Sequence, residues 1–236
     1  AMAKEEQVWF VVLSGDLVSN GDKWNQWEEQ FFTPAQAFLK RTAFWPVRGN
    51  HEGSGVLYRQ LFDLPGNELW YSFDYGNLHY VILDSEAGAE EREGMIQWLE
   101  GDLAENDADW TFVSYHKPTY NIGGHASKWG AEDVLPILEK HEVDVVITGH
   151  SHLYERFKPI GPEGKKPVIH IVSGGGGAPS YEVRPSSLLE GGIGYSGLHY
   201  CYFQIDGSTL RMTVKKPDGS VLDRMKLVKK SGKYQK

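Results

Sequence analysis

Basic charge, cysteine and long apolar runs are all scarce in this chain. Lys and Arg total 24 against 32 Asp and Glu, a formal net charge of −8. Neither that balance nor any local basic run suits a nucleic-acid or anionic-membrane surface, so no nucleic acid and no membrane is expected as a partner. No stretch is apolar enough for a membrane span, and none reads as a signal peptide. The lone cysteine, Cys201, lies in an apolar aromatic run and reads as a small buried hydrophobe. One cysteine excludes an intrachain disulfide. The compartment stays open, because cytoplasmic proteins and bacterial secreted enzymes alike do without disulfides. There is no Asn-x-Ser/Thr site. What is present is a chain of 236 residues, 40% hydrophobic, which fits one domain with a substantial core.

The chemistry gathers where apolar runs end. Residues 143–148 form a short β-branched run that reads as a buried strand. Gly149-His150-Ser151-His152 follows, and glycine allows the sharp turn. In extended chain, residues i and i+2 face the same side, so both imidazoles can address one point. Neutral imidazole is the commonest protein metal ligand. Three other stretches repeat the design. Residues 8–13 lead into Ser14-Gly15-Asp16, residues 44–47 into Arg48-Gly49-Asn50-His51-Glu52, and residues 110–113 into Ser114-Tyr115-His116. Open α/β sheets bind ligands beyond the carboxyl ends of their strands. Four strand ends offering Asp, Asn-His, His and His-x-His point to one metal centre.

Around these ends the pattern is mixed α/β. A helix is expected over 24–40, with Trp24, Trp27, Phe31, Phe38 and Leu39 on its apolar face and Pro34 interrupting or restarting it. A short helix is expected over 57–64 and a hairpin over 69–83. Helices follow over 90–105, with Met95, Ile96, Trp98, Leu99 and Leu103 buried, and over 133–141. Strands are expected over 154–160, 168–173, 198–205, 210–215 and 221–227. Residues 180–197 read as irregular, and 229–236 as a frayed tail. Gly174 to Gly177 is not a P-loop, since no Lys-Ser/Thr follows; it reads as a tight loop near the metal site.

The blocks Gly15-Asp16, Gly49-Asn50-His51-Glu52, Val113-Ser114-Tyr115-His116 and Gly149-His150-Ser151-His152 resemble those of the calcineurin-like metallophosphoesterases. The continuation Leu153-Tyr154-Glu155-Arg156 is similar to the purple-acid-phosphatase-like branch. The resemblance implies a metallophosphoesterase-type α/β/β/α sandwich of two mixed sheets, a single domain over 1–236, with a dinuclear metal site. It implies Asp16 as the bridging ligand, Asn50, His116 and His150 completing one metal site, and His152 serving the other. It makes His51 the general acid or electrostatic partner of the leaving group, with Asp16 also catalytic, and Asn50 and His125 substrate-binding. The implied ions are divalent or trivalent Fe, Mn or Zn, and the implied partner is a small phosphate ester. A secreted or periplasmic setting is suggested by the resemblance alone.

Two departures accompany it. The family's first motif, an Asp-x-His or Asp-x-Gly ending an earlier strand, has no counterpart here, since only seven residues precede Val8. The second ion is therefore left with Asp16 and His152 as its matched ligands. The edge of 8–13 would also lie open, inviting self-association through an exposed edge strand. The purple enzymes' tyrosine, three residues after the bridging Asp, is replaced by Ser19, so no tyrosinate–iron colour is expected.

Away from the blocks, His79 reads as a core or sheet-face histidine and Arg48 as the partner of a carboxylate. Tyr154 and Arg156 read as supports of the His-x-His turn. His141, His170 and His199 read as structural or surface residues. The expectation is metal-dependent hydrolysis of phosphomonoesters. A phosphodiesterase, or a truncated or degenerate homologue that binds one metal with little activity, is the alternative.

Overall fold

The computed structural model describes residues 2, 5, 7–186 and 190–229; residues 230–236 of the expected frayed tail lie outside them. Twelve strands are present among the described residues. Seven form a mixed sheet, ordered β3 (Tyr71–Tyr75), β4 (Leu78–Ile82), β5 (Trp110–Tyr115), β6 (Val145–Thr148), β8 (Ile169–Ser173), β7 (Tyr154–Arg156) and β9 (Ile193–Tyr195). Strands β4, β5, β6 and β8 run parallel, and the edges are antiparallel. Every residue of β4 and β5 is buried, which explains why they read as continuous apolar runs rather than alternating ones.

Five strands make two smaller sheets. β1 (Phe10–Leu13) pairs in parallel with β2 (Ala43–Pro46), and β10 (Tyr200–Asp206), β11 (Thr209–Lys215) and β12 (Val221–Val228) form an antiparallel triple. They share one core with a face of the large sheet: Tyr80, Ile82, Phe112, Val145 and Ile171 pack with Val12, Phe203, Leu210 and Met212. The opposite face presents Val81, Val113 and Val146 to Met95, Leu99 and Leu103 of α4 (Ala89–Glu105) and to Val134 and Leu138 of α5 (Val134–Lys140). Trp27, Phe31 and Tyr58 join the first core from the far side of β1 and β2. The layers are thus α/β/β/α. Among the described residues β1 pairs with β2 alone, and a cavity of about 430 Å³ is lined by β1 on one side and β10 on the other.

The first helical stretch differs from the expected single helix. It comprises α1 (Trp24–Gln26), a π-helical turn (Trp27–Phe32) and α2 (Thr33–Leu39), with Pro34 in the opening turn of α2. Because the π-helical turn runs into α2 without a break, a proline there leaves the ladder one N–H short. Trp27 is fully buried while Trp24, assigned to the same face, is 60% exposed. The strand expected over 154–160 ends at Arg156, with only an Ile160–Val168 bridge beyond it. Within the stretch read as irregular, β9 adds an edge strand against β7. The helix expected over 57–64 is α3 (Val56–Leu61).

Candidate metal centre

The carboxyl ends of β1, β2, β5 and β6 meet at one place. The end of β2 is fixed first, because Tyr58 and Tyr71 both donate their hydroxyls to the Pro46 carbonyl, at 2.7 and 2.8 Å. Next to it, Gly15 has φ +92°, and a Cβ there would collide with the His116 ring. Only glycine lets the β1 turn come this close to β5. The Ser14 carbonyl lies 2.7 Å from His116 Nδ1. A carbonyl only accepts, so Nδ1 carries the proton and Nε2 presents a lone pair.

His116 Nε2 is the hub of the site. It lies 3.0 Å from Asp16 Oδ2, 3.2 Å from Asn50 Oδ1 and 3.2 Å from His150 Nδ1. The donor atoms of Asp16, His116 and His150 all fall within 4.8 Å of one another. Neighbouring donors around a six-coordinate ion at about 2.1 Å sit about 3 Å apart. One carboxylate, one amide oxygen and two imidazoles therefore have the spacing and chemistry of a transition-metal ligand set.

Electrostatics follow the same geometry. Burial, with His116 and His125 nearby, holds the His150 imidazole down to about 4, so it is neutral, as a ligand must be. Burial alone would lower His116 and raise Asp16, but each outweighs that for the other: His116 ends above its ordinary value and Asp16 below. A proton and a cation compete for this pair. Asp16 and His150 both hold positive φ, +55° and +65°. That backbone is uncommon outside glycine and accumulates at functional sites.

The supporting roles of Tyr154, Arg156 and Arg48 are legible in the sequence, whereas those of Glu52, Glu155 and Ser151 are not. Glu52 closes the block Gly49-Asn50-His51-Glu52. It is fully buried and accepts N–H bonds from Gly49 (2.6 Å), Asp16 (2.9 Å) and Leu17 (2.7 Å). It thereby splints the β1 and β2 turns together, although burial raises its carboxyl pKa. Glu155, also fully buried, accepts the N–H groups of Ile122 and Gly123. Ser151, between the two histidines, donates to the Gly123 carbonyl at 3.0 Å. Together they anchor the loop that carries His125. Tyr154 and Arg156 both bind Asp223 of β12, at 2.6 Å each, and so brace the strand after the turn. Arg48 pairs with buried Asp84 at 2.9 Å. His79 bridges Asp74 and Asp102 on the large sheet's edge, away from the centre.

The remaining candidate histidines, His51, His125 and His152, line the rim. The His51 backbone N–H donates to Asp16 Oδ1 at 2.8 Å, and its ring Nδ1 donates to the Ser19 carbonyl at 2.8 Å, which leaves Nε2 unengaged. His152 lies outside the four-donor cluster. Its Nδ1 donates to the Pro179 carbonyl at 3.1 Å, which again leaves Nε2 unengaged. His125 has its ring centroid 4.9 Å from that of His150 and 6.2 Å from that of His152. The structure thus brings Asp16, Asn50, His116 and His150 into contact and sets His51, His125 and His152 around them.

The chain is 36% identical over 207 residues to purple acid phosphatase 22 of Arabidopsis thaliana, covering 76% of this chain and 48% of that protein. It is 29% identical over 262 aligned positions to probable inactive purple acid phosphatase 1 of the same plant, covering 91% of this chain and 42% of the other. The chain therefore spans about half the length of the curated relatives it matches. Its fold superposes on a purple acid phosphatase from yellow lupin (Lupinus luteus) seeds with a TM-score of 0.81, at 24% identity, over 95% of this chain and 47% of that one. Residues 1–154, from β1 through the His-x-His turn, match the family model described as calcineurin-like phosphoesterase. The chain belongs to the calcineurin-like phosphoesterase family.

Proposed function

We propose that this chain hydrolyses phosphate monoesters in a metal-dependent reaction at the centre described above. The observation that carries the reading is the convergence of Asp16 Oδ2, Asn50 Oδ1 and His150 Nδ1 on His116 Nε2. These four residues would hold one Fe, Mn or Zn ion, and Asp16 with His152 a second. Ions bound there polarise phosphate oxygens and make hydroxide available near neutral pH.

The chain's own groups supply the rest. Asn50 uses Oδ1 within the cluster, and its amide N–H groups remain to donate to a phosphate oxygen. His51, with Nδ1 held by Ser19, has Nε2 at the rim to protonate the departing alkoxide. His125, exposed on its loop, would meet the ester oxygens. Glu52 keeps the two ligand-bearing turns in register while substrate binds.

A chromogenic phosphomonoester and diester, each assayed with Mn²⁺, Zn²⁺ or Fe²⁺ and with chelator, test the reading. Metal-dependent turnover favouring the monoester is expected. No turnover of either ester with any metal would remove the enzyme assignment from this chain. Faster diester turnover would make it a phosphodiesterase.

One observation favours a second reading, a single-ion protein with little turnover. His152 stands apart from the four-donor cluster, bound to Pro179 and stacked on an aromatic ring. One retained ion per chain together with negligible hydrolysis would select it.

A further inference from the structure

The segment after β8 carries a residue that none of the roles above uses. Tyr181 is half-buried and touches the rim in several independent ways. Its backbone N–H donates to the His152 carbonyl at 3.0 Å. Its ring lies parallel to the His152 imidazole, with centroids 4.5 Å apart and planes 9° apart. Its hydroxyl meets His125 Nε2 at 2.8 Å, with the two rings edge-on at 88°.

The loop opposite is shaped to accept this ring. Gly124 has φ +66°, and any Cβ there would collide with the Tyr181 ring. From below, Tyr181 packs on the buried cluster of Leu153, Phe157 and Val172. The ring is therefore wedged between a core and a glycine, and its two chemically distinct parts address two different histidines. A phenol suits this duty, with a face for stacking and a hydroxyl for hydrogen bonding. The same segment supplies the Pro179 carbonyl that fixes the His152 tautomer. With Nε2 of His125 engaged, Nδ1 is the ring atom left for a phosphate oxygen. Holding an exposed imidazole in advance removes rotamer entropy that binding would otherwise cost.

We propose that Tyr181 is a positioning residue that holds His125 by its hydroxyl and His152 by its ring, so that the substrate-facing histidine and the outlying metal ligand are set as one unit. The inference rests on the phosphoesterase reading for what the two histidines do, but not for their coupling.

Two substitutions in the full chain separate the parts of the tyrosine. Tyr181→Phe removes the hydroxyl and keeps the ring; Tyr181→Leu removes both. The first readout is ring ¹⁵N NMR of the histidines in metal-free protein. Tyr181→Phe should move the His125 Nε2 resonance and leave His152 in place, whereas Tyr181→Leu should move both. In the Mn²⁺-loaded protein, Tyr181→Phe should raise KM for the chromogenic monoester about 3- to 10-fold, as loss of one hydrogen bond implies, with kcat and metal affinity little changed. Tyr181→Leu should in addition weaken the less tightly held Mn²⁺ by roughly 10- to 100-fold, the usual effect of losing a ligand's outer partner. An unmoved His125 resonance in Tyr181→Phe would overturn the hydroxyl's role. Matching His152 resonances in the two variants would overturn the ring's role. If the unsubstituted protein hydrolyses no ester, the phosphoesterase reading fails, and the NMR comparison still decides the coupling.

Discussion

The centre has two sides, and they are built differently. On one, Asp16, Asn50, His116 and His150 stand at strand ends and are held by buried backbone contacts. His116 is 1% exposed, and the Glu52 beneath the turns is fully buried. On the other, His125 and His152 are held by two loops that meet through one phenol, one carbonyl and a glycine contact. The first side is preorganised, and its positive φ angles at Asp16 and His150 are strain that the surrounding bonds must maintain. The second is assembled from side-chain contacts that can be removed one at a time. An ion that needs little reorganisation suits the first, and a substrate that must enter and leave suits the second.

Breaking the buried side should have the largest effect. Glu52→Ala leaves three N–H groups without their acceptor, and is expected to cost about 3 kcal/mol or more in urea denaturation and to release the tightly held metal. Unchanged stability would mean that the turns are held by something other than Glu52. Next, His51→Ala should lower kcat by about 10²-fold or more while elemental analysis finds wild-type metal content. Equal turnover in that variant would withdraw His51 from leaving-group chemistry. On the loop side, Gly124→Ala should displace Tyr181 and raise KM several-fold, with the ion of the four-donor cluster retained. Loss of that ion would mean that the two sides are not separable.

The smallest effect lies outside both sides and separates the pH response of the fold from that of the centre. Burial alone would lower the His79 pKa, but Asp102 and Asp74 outweigh it and the net shift is upward from 6.5. A raised histidine contributes stability that is complete below the unfolded pKa and lost as pH rises through the folded one. Denaturation midpoints of metal-free protein should therefore fall, relative to those of His79→Gln, as pH rises above the ordinary histidine value of 6.5. Parallel curves for the two proteins would show that His79 carries none of that dependence.

The two sides also differed in how readable they were. The strand-end side was legible because its signal is local: an apolar run, then a ligand-type residue within a few positions. On the loop side His125 and His152 were legible but what holds them was not, because those contacts span distance. Tyr181 lies 56 positions from His125, and nothing near it in sequence marks it. Glu52 was hidden for the same reason, since its bonds reach back 35 and 36 positions to Leu17 and Asp16. The fold followed the same division. Most strands and the two helices of the second core stood out by composition and period. Strand β9, three residues including Gly194, exists only because β7 offers an edge. Trp24 misled because it opens the helix: three positions before buried Trp27, it shares that residue's period but stays 60% exposed.

The most direct test of the central claim, that Asp16, Asn50, His116 and His150 form a metal site, is elemental analysis of metal per chain after reconstitution and exhaustive dialysis. Unsubstituted protein and His116→Ala would be measured side by side. At least one retained ion per chain, lost in His116→Ala, is the expected result. Retention of the same ion content by His116→Ala, or no retained metal in the unsubstituted protein, would contradict the account.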